Sequence, residues 1–132
     1  MSGFYQITPF MHVPDIAAAI GFFRDILGFS ILDFGGGYAY VEREGCGIRI
    51  LQCDESEALS GFATRRYAYY LDVKDVDALY AELKPRLDSL PPGDVHGPED
   101  KSYGQRELLV LAPDGNLLAF GQAIFDRPFV RS

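Results

Sequence analysis

A chain of 132 residues with 48% hydrophobic content is one domain's worth of protein, with ample material for a packed core. Its formal net charge of −7, with a pI near 4.7, excludes the basic stripe that a DNA- or RNA-binding surface needs. The same charge leaves room for a cationic ligand, although keeping the protein in solution is the simpler reading.

The opening MSGFYQITPF has neither a basic n-region nor an apolar h-region, and no apolar run approaches membrane-spanning length. A cytoplasmic protein with no membrane partner is expected. Ile7, Met11 and Val13 alternate with Thr8, Phe10 and His12, so Tyr5–Val13 reads as a strand. Pro14 blocks its continuation, and Asp15 is a good N-cap for IAAAIGFFRDIL. Ile16, Ala19, Ile20, Phe23, Ile26 and Leu27 fall on one stripe of that helix, and Gly28 closes it. Three strand-like runs follow, Phe29–Phe34, Tyr38–Arg43 and Ile48–Gln52, separated by Gly35-Gly36-Gly37 and Glu44-Gly45. The two cysteines, Cys46 and Cys53, sit on or at the ends of the last run. An extended strand holds them too far apart for a disulfide, so they read as free thiols of a reducing compartment. Neither belongs to a CxxC, and no Cys/His cluster has zinc-ligand spacing.

After the polar stretch Asp54–Thr64 the same grammar restarts. Tyr67–Val73 is strand-like, Asp75 caps VDALYAEL with Val76, Leu79 and Leu83 as its apolar stripe, and Pro85 is expected to end or kink the helix. LPPGDVHGPED reads as loop, with room for a short strand. Arg106–Ala112 and Leu117–Gln122 then read as strands joined by Pro113-Asp114-Gly115-Asn116, a strong hairpin signal. Val13-Pro14-Asp15-Ile16 matches Val73-Lys74-Asp75-Val76, each preceded by a strand and followed by a helix and further strands. V-x-D-[IV] before a helix is common capping chemistry, but the shared order of elements favours an internal duplication. The expected organisation is one domain with module one at about 4–53, a linker at 54–64, module two at about 65–124 and a tail at 125–132.

The segment Val13-Pro14-Asp15 followed by Phe22-Phe23-Arg24-Asp25-Ile26-Leu27-Gly28-Phe29 resembles the opening motif of the vicinal oxygen chelate superfamily. Tyr103-Gly104-Gln105-Arg106-Glu107 with Ala112-Pro113-Asp114-Gly115-Asn116 resembles its closing motif, and the agreement is best with the glyoxalase/bleomycin resistance protein branch. The resemblance runs from Tyr5 to Gln122. It implies an α+β fold of two βαβββ modules forming a curled mixed sheet around a cavity, with helices on the convex face. It also implies a homodimer, sometimes formed by exchange. Members include metal-dependent lyases, isomerases and dioxygenases, and metal-free proteins that sequester antibiotics.

The superfamily's enzymes hold a divalent metal with His, Glu or Gln side chains from four strands. Carried onto this sequence, those places fall at Thr8, Ala68, Ala119 and, in a less secure register, near Arg49. A threonine hydroxyl is a poor ligand, alanine is none, and arginine is a permanent cation. The resemblance therefore implies no metal and no cofactor. His12 and His96 have no carboxylate partner fixed by sequence and read as rim or surface histidines.

Function then rests on shape, aromatic surface and a few polar groups. Strand parity gives the candidate lining Thr8, Phe10, Arg49, Leu51, Ala68, Tyr70, Leu117, Ala119 and Gly121, with Ile48, Ile50, Leu118 and Phe120 turned to the helices. Tyr38, Tyr40, Tyr70 and Tyr103 could stack on a planar group, although singly each also suits a half-buried strand position. An inward Arg49 needs an anionic partner, either a ligand group or an acid such as Glu107. Arg106 and Glu107 belong to the closing motif, and Glu107 could pair with an arginine or receive a cationic ligand group. The candidate ligand-binding residues are Phe10, Tyr38, Tyr40, Arg49, Tyr70, Tyr103, Arg106 and Glu107, with no catalytic set.

Three function classes follow. The favoured one is a metal-free protein sequestering a drug-like or aromatic compound. The second is a glyoxalase-like lyase or extradiol-dioxygenase-like enzyme, for which no nucleophile–base pair, paired acids or phosphate loop speaks. The third is a protein-interaction module using Asp54–Thr64 and the apolar tail Ile124–Val130.

Overall fold

The computed structural model describes residues 2–3, 5–53 and 67–124. The expected linker and the tail beyond Ile124 lie outside them. Contacts divide the chain into two compact units, Met1–Tyr67 and Ala68–Ser132.

The first unit runs β1 (Phe10–Val13), α1 (Ile16–Gly21) continued by a π-helical turn (Phe22–Ile26), β2 (Ser30–Gly35), β3 (Tyr38–Arg43) and β4 (Cys46–Gln52). Its sheet has the order β1-β4-β3-β2, with β1 parallel to β4 and the other pairs antiparallel. The second unit runs β5 (Ala68–Asp72), α2 (Val76–Leu87), β6 (Val95–Asp100), β7 (Gln105–Leu111) and β8 (Leu117–Ala123). Its sheet repeats the pattern as β5-β8-β7-β6, with β5 parallel to β8. The fold is thus α+β, two four-stranded mixed sheets built on one plan.

The duplication extends to single hydrogen bonds. Asp15 and Asp75 both have extended backbones, and each carboxylate accepts from the amide three residues on, Ala18 N at 3.2 Å and Ala78 N at 3.0 Å. Gln52 Oε1 accepts from Ile16 N at 2.9 Å, and Gln122 Oε1 from Val76 N at 2.8 Å. Two of the orphan amides that open each helix are satisfied this way, one by the cap and one by the parallel strand beside it.

Period-two alternation sorts the first sheet. Met11, Val13, Ala39, Val41, Ile48 and Ile50 are buried with Ala19, Ile20, Phe22, Phe23 and Leu27. The expected regular helix is not kept to its end. Leu27 N bonds to Phe22 O at 3.2 Å, one residue longer than an α-helical bond, and the wider turn lets the adjacent Phe22 and Phe23 both bury. Strand β1 is shorter than the alternation suggested, beginning after Pro9, and Ile7 is 95% exposed rather than in the core. Proline has no N–H for a ladder, and only its carbonyl is used, by Arg49 N at 3.0 Å.

In the second unit Leu108, Val110, Leu118 and Phe120 bury with Val76, Leu83 and Leu87. Helix α2 does not stop at Pro85 but runs on to Leu87. Pro85 is exposed, and the extra turn buries Leu87, which is worth about 2 kcal/mol. Within the segment that reads as loop lies β6, an edge strand with a register shift between His96 and Glu99. An edge strand tolerates Pro98 where a central one would not. The β7–β8 turn forms as read: Gly115 takes a φ of +92°, and Asp114 Oδ1 accepts from Asn116 N at 2.9 Å and Nδ2 at 2.8 Å. Among the described residues no helix is long and apolar enough to cross a membrane.

Candidate functional site

Each unit turns one sheet face away from its helix, and the polar chemistry collects there. On the first sheet the register sets Phe10 beside Arg49, Arg49 beside Tyr40, and Tyr40 beside Leu32. The next row sets His12 beside Leu51 and Leu51 beside Tyr38. Arg49 is half-buried, and its Nη1 donates to Tyr38 Oη at 2.6 Å. Its guanidinium lies 5.5 Å from the centre of the Tyr40 ring, a cation–π contact. Phe34 stacks on Tyr38 at 5.2 Å, and Phe10 lies tilted to the same ring at 6.2 Å. The phenol end of Tyr40 lies over Gly47, where a Cβ would collide with it. Four of the residues singled out in the sequence, Phe10, Tyr38, Tyr40 and Arg49, thus meet on one face.

The second sheet gathers Tyr70, Tyr103 and Glu107. Glu107 is only 5% exposed, and a carboxylate so buried must be compensated. Tyr70 Oη donates to its Oε2 at 2.9 Å and Tyr103 Oη to its Oε1 at 2.7 Å. Gln105 Nε2 in turn donates to Tyr70 Oη at 2.8 Å. Tyr70 reaches β7 by crossing β8 at Gly121, where any side chain would occupy the space of its phenol. Burial pushes the Tyr70 phenol above its ordinary pKa, and Glu107 adds to the rise. For Tyr103 the hydrogen bond to Glu107 is the main cause, and the phenol is pushed up to about 12.

Arg106 is not brought to this cluster. It alternates with Glu107 along β7 and pairs with Asp77 at 3.1 Å and Asp100 at 2.9 Å. Two participants were not among the residues singled out, Gln105 and Phe34. The alternation Tyr103, Gln105, Glu107 carries the signal for the first, since residues two apart share a strand face. Leu32 and Phe34 carry it for the second.

The units are equivalent in register but opposite in chemistry. Phe10, Arg49 and Tyr40 form one row of the first sheet; Tyr70, Ala119 and Leu109 form the matching row of the second. Leu51 and Tyr38 match Gly121 and Glu107. One sheet carries a cation where the other has alanine, and the second carries an acid where the first has a phenol.

The four places where the family resemblance expects metal ligands do not fit a divalent ion. Thr8 accepts a hydrogen bond from Gln6 Nε2 at 2.8 Å, Ala68 and Ala119 offer no donor atom, and Arg49 is cationic. Among the described residues no group of three His, Cys, Asp or Glu side chains comes together. Cys46 is exposed and Cys53 buried, and neither is in a disulfide.

Residues 6–120 match the sequence model of the Glyoxalase/Bleomycin resistance protein/Dioxygenase superfamily. The chain is 28% identical over 131 residues to a bleomycin resistance protein of Geobacillus stearothermophilus, covering 90% of this chain and 97% of that one. Its fold is similar to that of the bleomycin-binding protein from bleomycin-producing Streptomyces verticillus, solved with copper(II)-bleomycin. The TM-score is 0.74 at 26% identity, covering 93% of this chain and 98% of the other. The fold of TnmS3, an antibiotic binding protein from Streptomyces sp. CB03234, aligns with a TM-score of 0.69 at 23% identity over 93% of this chain and 98% of that one. With a match spanning both modules, the chain belongs to the glyoxalase/bleomycin resistance protein/dioxygenase superfamily.

Proposed function

We propose that the protein is a stoichiometric, metal-free binder that sequesters a small aromatic, drug-like molecule and leaves it chemically unchanged. The observation that carries this reading is the outward face of the first sheet, where Phe10, Phe34, Tyr38 and Tyr40 surround Arg49. Such a face offers stacking area and one directional charge, the usual composition of a small-molecule site. The names of its relatives, which bind or resist bleomycin, support the same class of role. The chemistry at Thr8, Ala68, Ala119 and Arg49 supports binding that needs no metal. The ligand contacts in this reading are Phe10, Tyr38, Tyr40, Arg49, Tyr70, Tyr103 and Glu107, with Arg106 bracing α2 against β7. A homodimer, supported by the family resemblance, and a cytoplasmic setting, supported by the free thiols, complete the reading.

The test is calorimetry with bleomycin and a panel of aromatic compounds, followed by mass spectrometry of the recovered ligand. Saturable binding near one ligand per chain, with the compound recovered intact, is expected. Turnover of any bound compound, or the absence of binding across the panel, would defeat the reading. Light scattering after size exclusion decides the dimer.

A further inference from the structure

We propose that the first sheet reads an acidic group on its ligand, so that the class of compound taken up is a planar aromatic carrying a carboxylate or a group of like geometry. This rests on the sequestering role above and narrows it.

The described acids of the first unit are each committed elsewhere. Asp15 caps α1 through Ala18 N, Asp25 pairs with Arg24, and Asp33 holds Gly35 N. Glu44 pairs with Arg43, and Glu42 accepts from Gly45 N in the β3–β4 turn. Glu42 matters most, because it shares the outward parity of Tyr38 and Tyr40 on β3 and is the nearest acid by register. It turns to the backbone instead. Within that unit Arg49 therefore has a phenol and a ring as neighbours and no carboxylate among the described residues.

A guanidinium has five N–H donors in a rigid fork. Here Nη1 is used by Tyr38, while Nε and Nη2 have no acceptor among the described residues. Two adjacent free N–H groups match the two oxygens of a carboxylate, and charge-assisted bonds of that kind are about twice as strong as neutral ones. The flanking rings supply the rest of the recognition: Phe10 is 46% and Phe34 56% exposed, large apolar surfaces left open beside a fixed cation. The net charge of −7 opposes an anion only weakly at this place, since charges beyond about 8 Å are largely screened at physiological salt. The short-range fork decides.

Three probes of one shape separate the possibilities: 2-naphthoate, 2-naphthamide and 2-naphthylmethylammonium, titrated against the full chain by calorimetry. Naphthoate is expected to bind roughly tenfold or more tighter than the amide, with the ammonium weakest. Arg49→Met should abolish the preference for naphthoate over the amide, weakening the acid far more than the amide. Arg49→Lys should restore only part of the preference, because an ammonium keeps the charge and loses the fork. As a readout that needs no variant to fold, the Arg49 Nε–H resonance of the wild type should shift with naphthoate and stay put with naphthamide. Equal binding of acid and amide, or tightest binding of the ammonium, overturns the acidic-group proposal and leaves sequestration standing. A loss of all three probes together in a folded Arg49→Met protein also overturns it, since the role of Arg49 would then be structural. If none of the three binds but bleomycin does, the acidic-group proposal alone falls. If no compound of any kind binds, both readings fall. A dimer that Phe34→Ser converts to monomer, in a wild type that binds no probe, would assign the face to a second copy instead.

Discussion

The Tyr70 phenol donates to Glu107 across the full width of β8, and it can do so only because residue 121, directly opposite Glu107, is glycine. Gly121→Ala should push Tyr70 off the carboxylate. The phenol is the far end of a side chain that can swing aside, so the sheet survives, and the loss is that of one hydrogen bond to a buried acid. A drop of about 1–3 kcal/mol in urea denaturation is expected. After Tyr70→Ala the same change at residue 121 should cost little more, since the hydroxyl and the ring that a Cβ would meet are both already gone. A fully additive double-mutant cycle would mean the two residues are not coupled in this way.

Tyr103 gives a pH signature. Its neutral phenol donates to Glu107, and ionisation would set a phenolate against a carboxylate, so the pKa rises from 10.0 to about 12 in the folded protein. A raised folded pKa means the stabilisation is fully present below pH 10 and fades as pH climbs through 12. The stabilities of wild type and Tyr103→Phe should therefore converge between pH 10 and 12. In ultraviolet phenolate titrations, Tyr103→Phe should delete a late-ionising group, and Glu107→Gln should bring that group back toward 10. If Glu107→Gln leaves the late phenol in place, the bond assigned here is not its cause.

Much of this was legible in the chain, because caps and alternation are local signals. Asp15 and Asp75 announced both helices, strand parity put Arg49 and Ile50 on opposite faces, and Pro113–Asn116 marked its hairpin. What escaped depends on neighbours distant in sequence. The π-helical turn exists because Phe22 and Phe23 both find room against the sheet, and no spacing rule encodes that. The edge strand β6 was legible only as room for a short strand within a loop, since Gly97 and Pro98 interrupt it and its pairing with β7 is what defines it. Arg106 looked like a site residue by its motif, yet the carboxylates that take it up, Asp77 and Asp100, come from α2 and β6. Gln105 stood between two residues already singled out, and the same alternation would have found it.

The matched caps predict matched costs. Gln52→Ala and Gln122→Ala each strand one helix-opening amide, Ile16 N or Val76 N. Each should lower stability by about 1 kcal/mol, and the double variant by the sum, because the two bonds share no partner. Amide exchange localises the effect: Gln52→Ala should speed exchange at the start of α1 and leave α2 untouched. Loss of protection in both helices from one substitution would contradict the independence of the two caps.

Arg106 should behave as a brace. Its pairs with Asp77 and Asp100 are partly exposed, and pairs of that kind are worth about 0–1 kcal/mol. Arg106→Ala should therefore cost little stability, and less still at high salt, while leaving affinity for any aromatic probe unchanged. A fall in affinity with stability preserved would return Arg106 to the ligand face.

The metal-ligand positions make the last prediction. A native-state site with a dissociation constant one hundredth of the metal concentration would raise stability by about 2.7 kcal/mol, a shift of several degrees in Tm. With Thr8, Ala68, Ala119 and Arg49 at the places where the family resemblance expects metal ligands, no such shift is expected with zinc, nickel, manganese or iron(II). Addition of a chelator to freshly purified protein should change nothing either. The thiols Cys46 and Cys53 could give a false positive with soft metals, so Cys46→Ser and Cys53→Ala belong in the same experiment. A saturable shift that survives both substitutions would locate a metal site that these strands do not show.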